Sequence, residues 1–227
     1  MPVRPYFCTA GLPLDHLWRS LLGIISAAEA LEHLCQGNRR FVSDDVDRKA
    51  LTNRTHQTGA ADGQNPIAIV LACSDSRVPT ELIFDQGIGD LFVIRVAGNI
   101  VAPSQIGSIE FAAKQFKTQL VVVLGHTDCG AVIATLEELA LKDSHRSPNL
   151  RAIVDRIRPA VEPVLAGHKD DEATGVVRDA VRANVRASVE QLKHGSLILE
   201  KLIDNGELRI VGAEYCLDRG VVEFFED

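Results

Sequence analysis

Residues 67–77 read IAIVLACSDSR and residues 120–130 read LVVVLGHTDCG: each is a short apolar run, rich in β-branched residues, that stops on a cluster of Cys, His, Asp or Arg. Such runs predict strands. Neither alternates apolar with polar positions, so both faces of each strand must be covered, which is the condition of a parallel sheet with helices on either side. A third run, LFVIRV at 91–96, lies between them. A helix candidate at 79–84, and another at 104–116 with Ile106, Ile109, Ala113 and Phe116 at helical spacing, supply the crossovers of right-handed βαβ units.

Outward from this centre, residues 14–41 carry Leu17, Leu21, Ile24, Ile25, Ala28, Leu31 and Leu34 at helical spacing and predict one or two amphipathic helices. Residues 43–65, with their Asp, Asn and Gly, read as linking structure. Toward the other end, helices are expected at 129–141, 150–165, 173–192 and 196–202. Strands at 207–215 and 221–225, separated by Leu217-Asp218-Arg219-Gly220, predict a terminal hairpin. The fold class is therefore α/β, a mainly parallel central sheet flanked by helices, with a helical arm at 1–42 and a single α/β domain over 43–227. Ligands in such folds sit beyond the carboxyl ends of the strands.

The chain has 227 residues, 46% of them hydrophobic and 24% charged, enough for one sizeable core and typical of an ordinary globular protein. A formal charge of -7 argues against a general nucleic-acid binder, which needs clustered Lys and Arg. Five widely spread cysteines do not resemble a secreted disulfide framework and suit a reducing compartment. The apolar stretch at 21–28 is preceded by Asp15, His16 and Arg19, a poor match to a signal peptide, and no run reaches the length of a membrane span. A cytoplasmic protein without a membrane partner is expected.

The chemistry lies where the strands end. Cys73, His126 and Cys129 form a three-ligand set of two thiolates and an imidazole, suited to zinc with a fourth tetrahedral position open. A cysteine beside an apolar strand is ordinarily a small buried hydrophobe; two of them with a histidine at the ends of two strands of one sheet point to a metal. Asp75 stands two residues from Cys73, on the same side of an extended segment, with Arg77 continuing that face. A carboxylate so close to a metal would bind it unless held elsewhere, and a guanidinium can hold it with two charged hydrogen bonds.

The sequence CSDSRV followed about fifty residues later by GHTDCG resembles the β class of carbonic anhydrases, and the likeness extends from Leu31 to Phe225 through Asp85, Gly89-Asp90, 92-FVIR-95, 97-AGN-99 and 108-SIEF-111. The resemblance implies one Zn2+ per subunit and reversible hydration of carbon dioxide to bicarbonate by zinc-bound hydroxide. Asp75 would orient the hydroxide and Arg77 would fix Asp75. It further implies a pocket built from Phe92, Ala97, Phe111, the backbone N–H of Gly130 and the amide of Gln64. A homodimer or dimer of dimers, embraced by helical arms, is implied as well. Val70 and Ala72 stand where one subgroup carries the Trp and Gly of a second bicarbonate site, which speaks against that inhibition. Two rivals remain: the same site acting on carbon disulfide or carbonyl sulfide, and a noncatalytic interaction protein stabilised by zinc. A nucleotide-binding fold fails for want of a glycine-rich phosphate loop after a strand.

Overall fold

The computed structural model of the chain describes residues 25–46, 63–140, 147–167 and 173–225. Three apolar runs form the parallel strands β1 (Ala68–Ala72), β2 (Leu91–Arg95) and β3 (Leu120–His126); β4 (Arg209–Tyr215) continues the parallel set and β5 (Val222–Phe224) closes it antiparallel. The sheet order is β2-β1-β3-β4-β5. Every residue of β1 and β3 is buried, whereas β2, at the edge, is buried only at Leu91. Continuous apolar sequence thus marks the two central strands.

Helices cover both faces. On one lie α1 (Ala27–Val42) and the single turn α2 (Thr80–Ile83), where Ala30, Leu31, Leu34, Ile83 and Phe84 pack with Val70, Ala72 and Val122. On the other lie α3 (Pro103–Gln115), part of α6 (Ala173–His194) and α7 (Leu197–Asp204), packed on Ile69, Leu71, Val121 and Val123. The chain leaves β1 for β2 across the first face, then returns over the second face to β3 and continues to β4. The strand order therefore reverses between β1 and β3, and the crevice at their carboxyl ends is the place where such sheets bind ligands. The helices α4 (Gly130–Ala140) and α5 (Pro148–Gly167), with the first half of α6, wall that crevice: Val132, Ile157, Val161, Ala180 and Val181 share a cluster with Cys73 and Cys129. α5 runs through Pro159 and Pro163 because both lie exposed, opposite Val154, Ile157 and Val161, where water can meet the carbonyls they leave unbonded.

Of the arm expected at 1–42, residues 1–24 lie outside the described residues, and the remainder is α1, part of this chain's own core. It starts on a capping box at Ser26 and Glu29. Its far end docks through Gly37, where a Cβ would stand 1.7 Å from the Phe84 carbonyl oxygen. Beside it, Asn38 donates to the carbonyls of Ile83 and Gly220 and accepts from Val222 N–H. The linking segment expected at 43–65 falls largely outside the described residues. No helix among the described residues is long and apolar enough to cross a membrane.

Candidate metal centre

β1 and β3 are hydrogen-bonded neighbours with Ala72 opposite Leu124, so the segments that follow them emerge side by side. Cys73 is the first residue past β1, His126 the last of β3, and Cys129 immediately precedes α4. Their ligand atoms all lie within 4.8 Å of one another, and the two sulfurs are 4.0 Å apart. With Zn–S bonds of 2.3 Å, a tetrahedron requires roughly 3.8 Å between sulfurs. The fit is close.

His126 is completely buried. Its Nδ1 lies 2.9 Å from the Thr127 carbonyl, which fixes the proton on that nitrogen and leaves the Nε2 lone pair facing the two sulfurs. Nε2 is buried without a hydrogen bond. An orphaned acceptor of this kind is costly unless a cation meets it. The contact with Cys129 lowers the pKa of Cys73 against the opposing effect of burial, helped by His126 and by the Gly98 N–H. The same contact and burial push Cys129 far up. Binding of a divalent cation would favour the thiolate form of both sulfurs and release whatever protons they carry.

Asp75 is held beside this cluster. Arg77 Nε donates to its Oδ1 at 2.9 Å and Nη2 to its Oδ2 at 2.8 Å, while Arg77 N–H donates to Oδ1 at 3.0 Å. The guanidinium holds the carboxyl well below the usual carboxylate range. Oδ2 stands 3.8 Å from His126 Nε2, so the anion overlooks the metal position while both oxygens are engaged by Arg77. Beneath, Arg95 at the end of β2 donates to the carbonyls of Cys73 and Asp75 and fixes the ligand loop. The sequence assigns Arg95 no role; its location at a strand end level with Ala72 is the signal that could have found it.

A family model described as carbonic anhydrase matches residues 68–222. The chain is 38% identical over 192 residues to carbonic anhydrase 2 of Mycobacterium tuberculosis, covering 84% of this chain and 89% of that protein. It is also 38% identical over 198 residues to the carbonic anhydrase of Mycolicibacterium smegmatis, covering 86% and 91%. The chain belongs to the β-class carbonic anhydrases. The fold is similar to that of a solved structure as well: one from a study of two tetrameric β-carbonic anhydrases of Sordaria macrospora superposes with a TM-score of 0.66 at 24% identity, over 76% of this chain and 86% of that one.

As a carbonic anhydrase the chain needs a substrate pocket, and the residues expected to line one divide into two groups. Ala97 and Gly130 are at the centre: Ala97 precedes the Gly98 whose N–H reaches Cys73, and exposed Gly130 opens α4 with nothing within 4 Å of where a Cβ would be. Gln64, Phe92 and Phe111 are elsewhere. Gln64 is exposed ahead of β1, whose length separates it from Cys73 by ~16 Å at 3.3 Å per residue. Phe92 pairs with Ile69, roughly 13 Å along the strands from Cys73 by the same rise. It packs with Phe111 and Phe116, their ring centroids 5.7–6.3 Å apart, and Phe111 is 54% exposed. One chain does not bring these three to the metal centre.

Proposed function

We propose that this protein is a zinc-dependent carbonic anhydrase that reversibly converts carbon dioxide and water to bicarbonate and a proton, with Cys73, His126 and Cys129 holding the metal. Zinc, when bound, supplies a Lewis acid that makes a nucleophile of water near neutral pH. The observation that carries the reading is the Asp75–Arg77 pair, because a structural metal site needs no carboxylate restrained next to an open ligand position. Asp75 stays ionised, accepts a hydrogen bond from a hydroxyl group placed there and so turns that oxygen's lone pair toward the substrate. Arg77 keeps the carboxylate from taking the position itself. Gly130, at the amino end of α4, presents its N–H as a donor to an oxygen of the substrate. Val70 and Ala72 are fully buried in the same apolar cluster as Tyr215, and this packing supports a response to bicarbonate without a second anion site.

The working unit we propose is a cytoplasmic assembly of two or four copies. The Sordaria macrospora proteins are tetrameric by description. Gln64, Phe92 and Phe111 then line a pocket with the triad of a second copy, which accounts for their distance from the triad of their own.

Metal analysis combined with stopped-flow carbon dioxide hydration tests the reading on the wild type, Cys73→Ser and Asp75→Asn. Expected are one zinc per wild-type chain with hydration activity, loss of both metal and activity in Cys73→Ser, and retained metal with lowered activity in Asp75→Asn. Stoichiometric zinc without hydration at any pH from neutral to alkaline would overturn it.

A further inference from the structure

Two polar side chains of α6 are buried and hydrogen-bonded to the turn beside the candidate metal centre. Asn184 and Ser188 are 2% and 5% exposed, four residues apart and so on one face of the helix, amid Val181, Val185, Val189 and Leu192. Polar groups in such a stripe are unfavourable unless bonded. Both are bonded to one short turn: Asn184 Nδ2 donates to the Gly98 carbonyl at 2.8 Å, and Ser188 Oγ donates to the Asn99 carbonyl at 3.2 Å.

That turn has an unusual shape. Gly98 (φ 70, ψ 20) and Asn99 (φ 43) are both left-handed, a conformation that L residues other than Asn and Asp seldom adopt. The left-handed φ favours glycine at 98, where a Cβ would also crowd Ile157 Cδ1 at 2.8 Å and Ala131 Cβ at 3.1 Å. The result of the shape is that Gly98 N–H points at Cys73 and donates to its Sγ at 3.3 Å. Its carbonyl, on the far side of the same residue, is the one Asn184 holds.

We propose that Asn184 and Ser188 are positioning residues for the metal centre: by clamping the two carbonyls of the Gly98–Asn99 turn they aim the Gly98 N–H at the Cys73 ligand sulfur. Two thiolates cancel the formal charge of a divalent cation, so a donor that draws density from one sulfur preserves the cation's acidity. A group bonded directly to a ligand, as the Gly98 N–H is, commonly alters metal affinity 10–100-fold, and Asn184 and Ser188, one step further out, act through it at the lower end of that range. The aliphatic alternative would fill the same helix face but leave both carbonyls unbonded and the turn free to relax.

This inference rests on the zinc reading of the triad, and the test separates the two. Cobalt(II) is loaded into the wild type, Asn184→Leu, Ser188→Ala and Ser188→Thr. Three quantities are read: the sulfur-to-cobalt charge-transfer band, the affinity in competition with a chelator, and helix content by circular dichroism. Asn184→Leu should remain folded, move the band to lower energy as the sulfur loses its donor, and bind cobalt roughly 10-fold more weakly. Ser188→Ala should move both in the same direction by less, and Ser188→Thr, which keeps the hydroxyl, should restore the wild-type band. Should Asn184→Leu fail to fold, the Ser188 pair decides alone. A wild-type band and affinity in a folded Asn184→Leu, or in Ser188→Ala where that pair decides, would overturn the proposal and leave the metal site standing. Failure of the wild type to bind cobalt at all would overturn both.

Discussion

Arg77 leaves more than half of its side chain in solvent, yet all of its hydrogen bonds described here go to Asp75. An exposed ion pair of this sort contributes little to stability. Its worth lies in direction: Asp75 Oδ2 stands 3.8 Å from the histidine nitrogen, and without Arg77 the carboxylate would be free to turn into the fourth ligand position. Arg77→Ala should therefore keep its metal and lose about 10²-fold in kcat/KM, the cost typical of a reacting group displaced by an ångström. Arg77→Lys should recover only part, because an ammonium cannot make the forked bond. Stopped-flow hydration with metal content measured on the same samples checks both, and full activity in Arg77→Ala would remove the gatekeeping role. Triad and dyad were legible in the sequence because each member stands within a few residues of the end of an apolar strand. Arg95 and Asn184 were not, since both act on backbone carbonyls, which carry no residue signature. Asn184 and Ser188 did leave one trace, a polar pair at i and i+4 inside the apolar stripe of a helix.

Among the elements, the union of α6 with the terminal hairpin is the most exposed to charge effects. Arg182 donates to Glu214 on β4 at 2.7 Å and to Glu223 on β5 at 2.6 Å, and Arg219 reaches Glu223 at 3.0 Å. Glu214 is 3% exposed. Arg182→Leu would leave that carboxylate buried and unpaired, a change worth about 3–5 kcal/mol of destabilisation, whereas Arg182→Leu with Glu214→Leu should recover most of the loss. Urea unfolding of the single and double variants measures it. The pH dependence follows with a definite sign. Burial raises the pKa of Glu223, but the bonds from Arg219 and Arg182 outweigh it and the net shift is downward. A carboxyl depressed in the folded state stabilises above its unfolded pKa and stops doing so as pH falls through the folded one. Stability should thus decline below about pH 4.5, where an unfolded Glu begins to take its proton, and Glu223→Gln should flatten that acid limb. The hairpin was legible from two strand-like runs separated by the short Leu217–Gly220 segment, but the partner helix of its carboxylates was not, because pairing across 32 and 41 residues of sequence has no local pattern.

At the scale of the whole molecule, the parallel order and the position of the site followed from two apolar strands and the residues that end them. What sequence spacing could not show is that motif residues close in the pattern lie far apart in one chain. Gln64, Phe92 and Phe111 belong to the opposite end of β1 and β2 from Cys73 because a strand of five residues carries the chain away from its start faster than any loop returns it. A largely exposed Phe111 packed on Phe92 and Phe116, beside an edge strand, is an apolar surface that a second copy would cover. Phe111→Asp puts a charge on that surface without touching the core or the triad. Its expected outcome is a chain that retains one zinc and its helix content, sediments as a smaller species at micromolar concentration, and hydrates carbon dioxide at least ~10-fold more slowly, since the apolar wall is lost along with the partner that brings it. Sedimentation velocity and stopped-flow assays at matched concentrations read the two effects together. A dissociated Phe111→Asp chain with wild-type turnover would mean that one chain holds a complete pocket, and an undissociated one with wild-type turnover would place the contact surface elsewhere. Activity that falls in step with dissociation, and returns as concentration drives the chains together, is the behaviour of a pocket shared between copies.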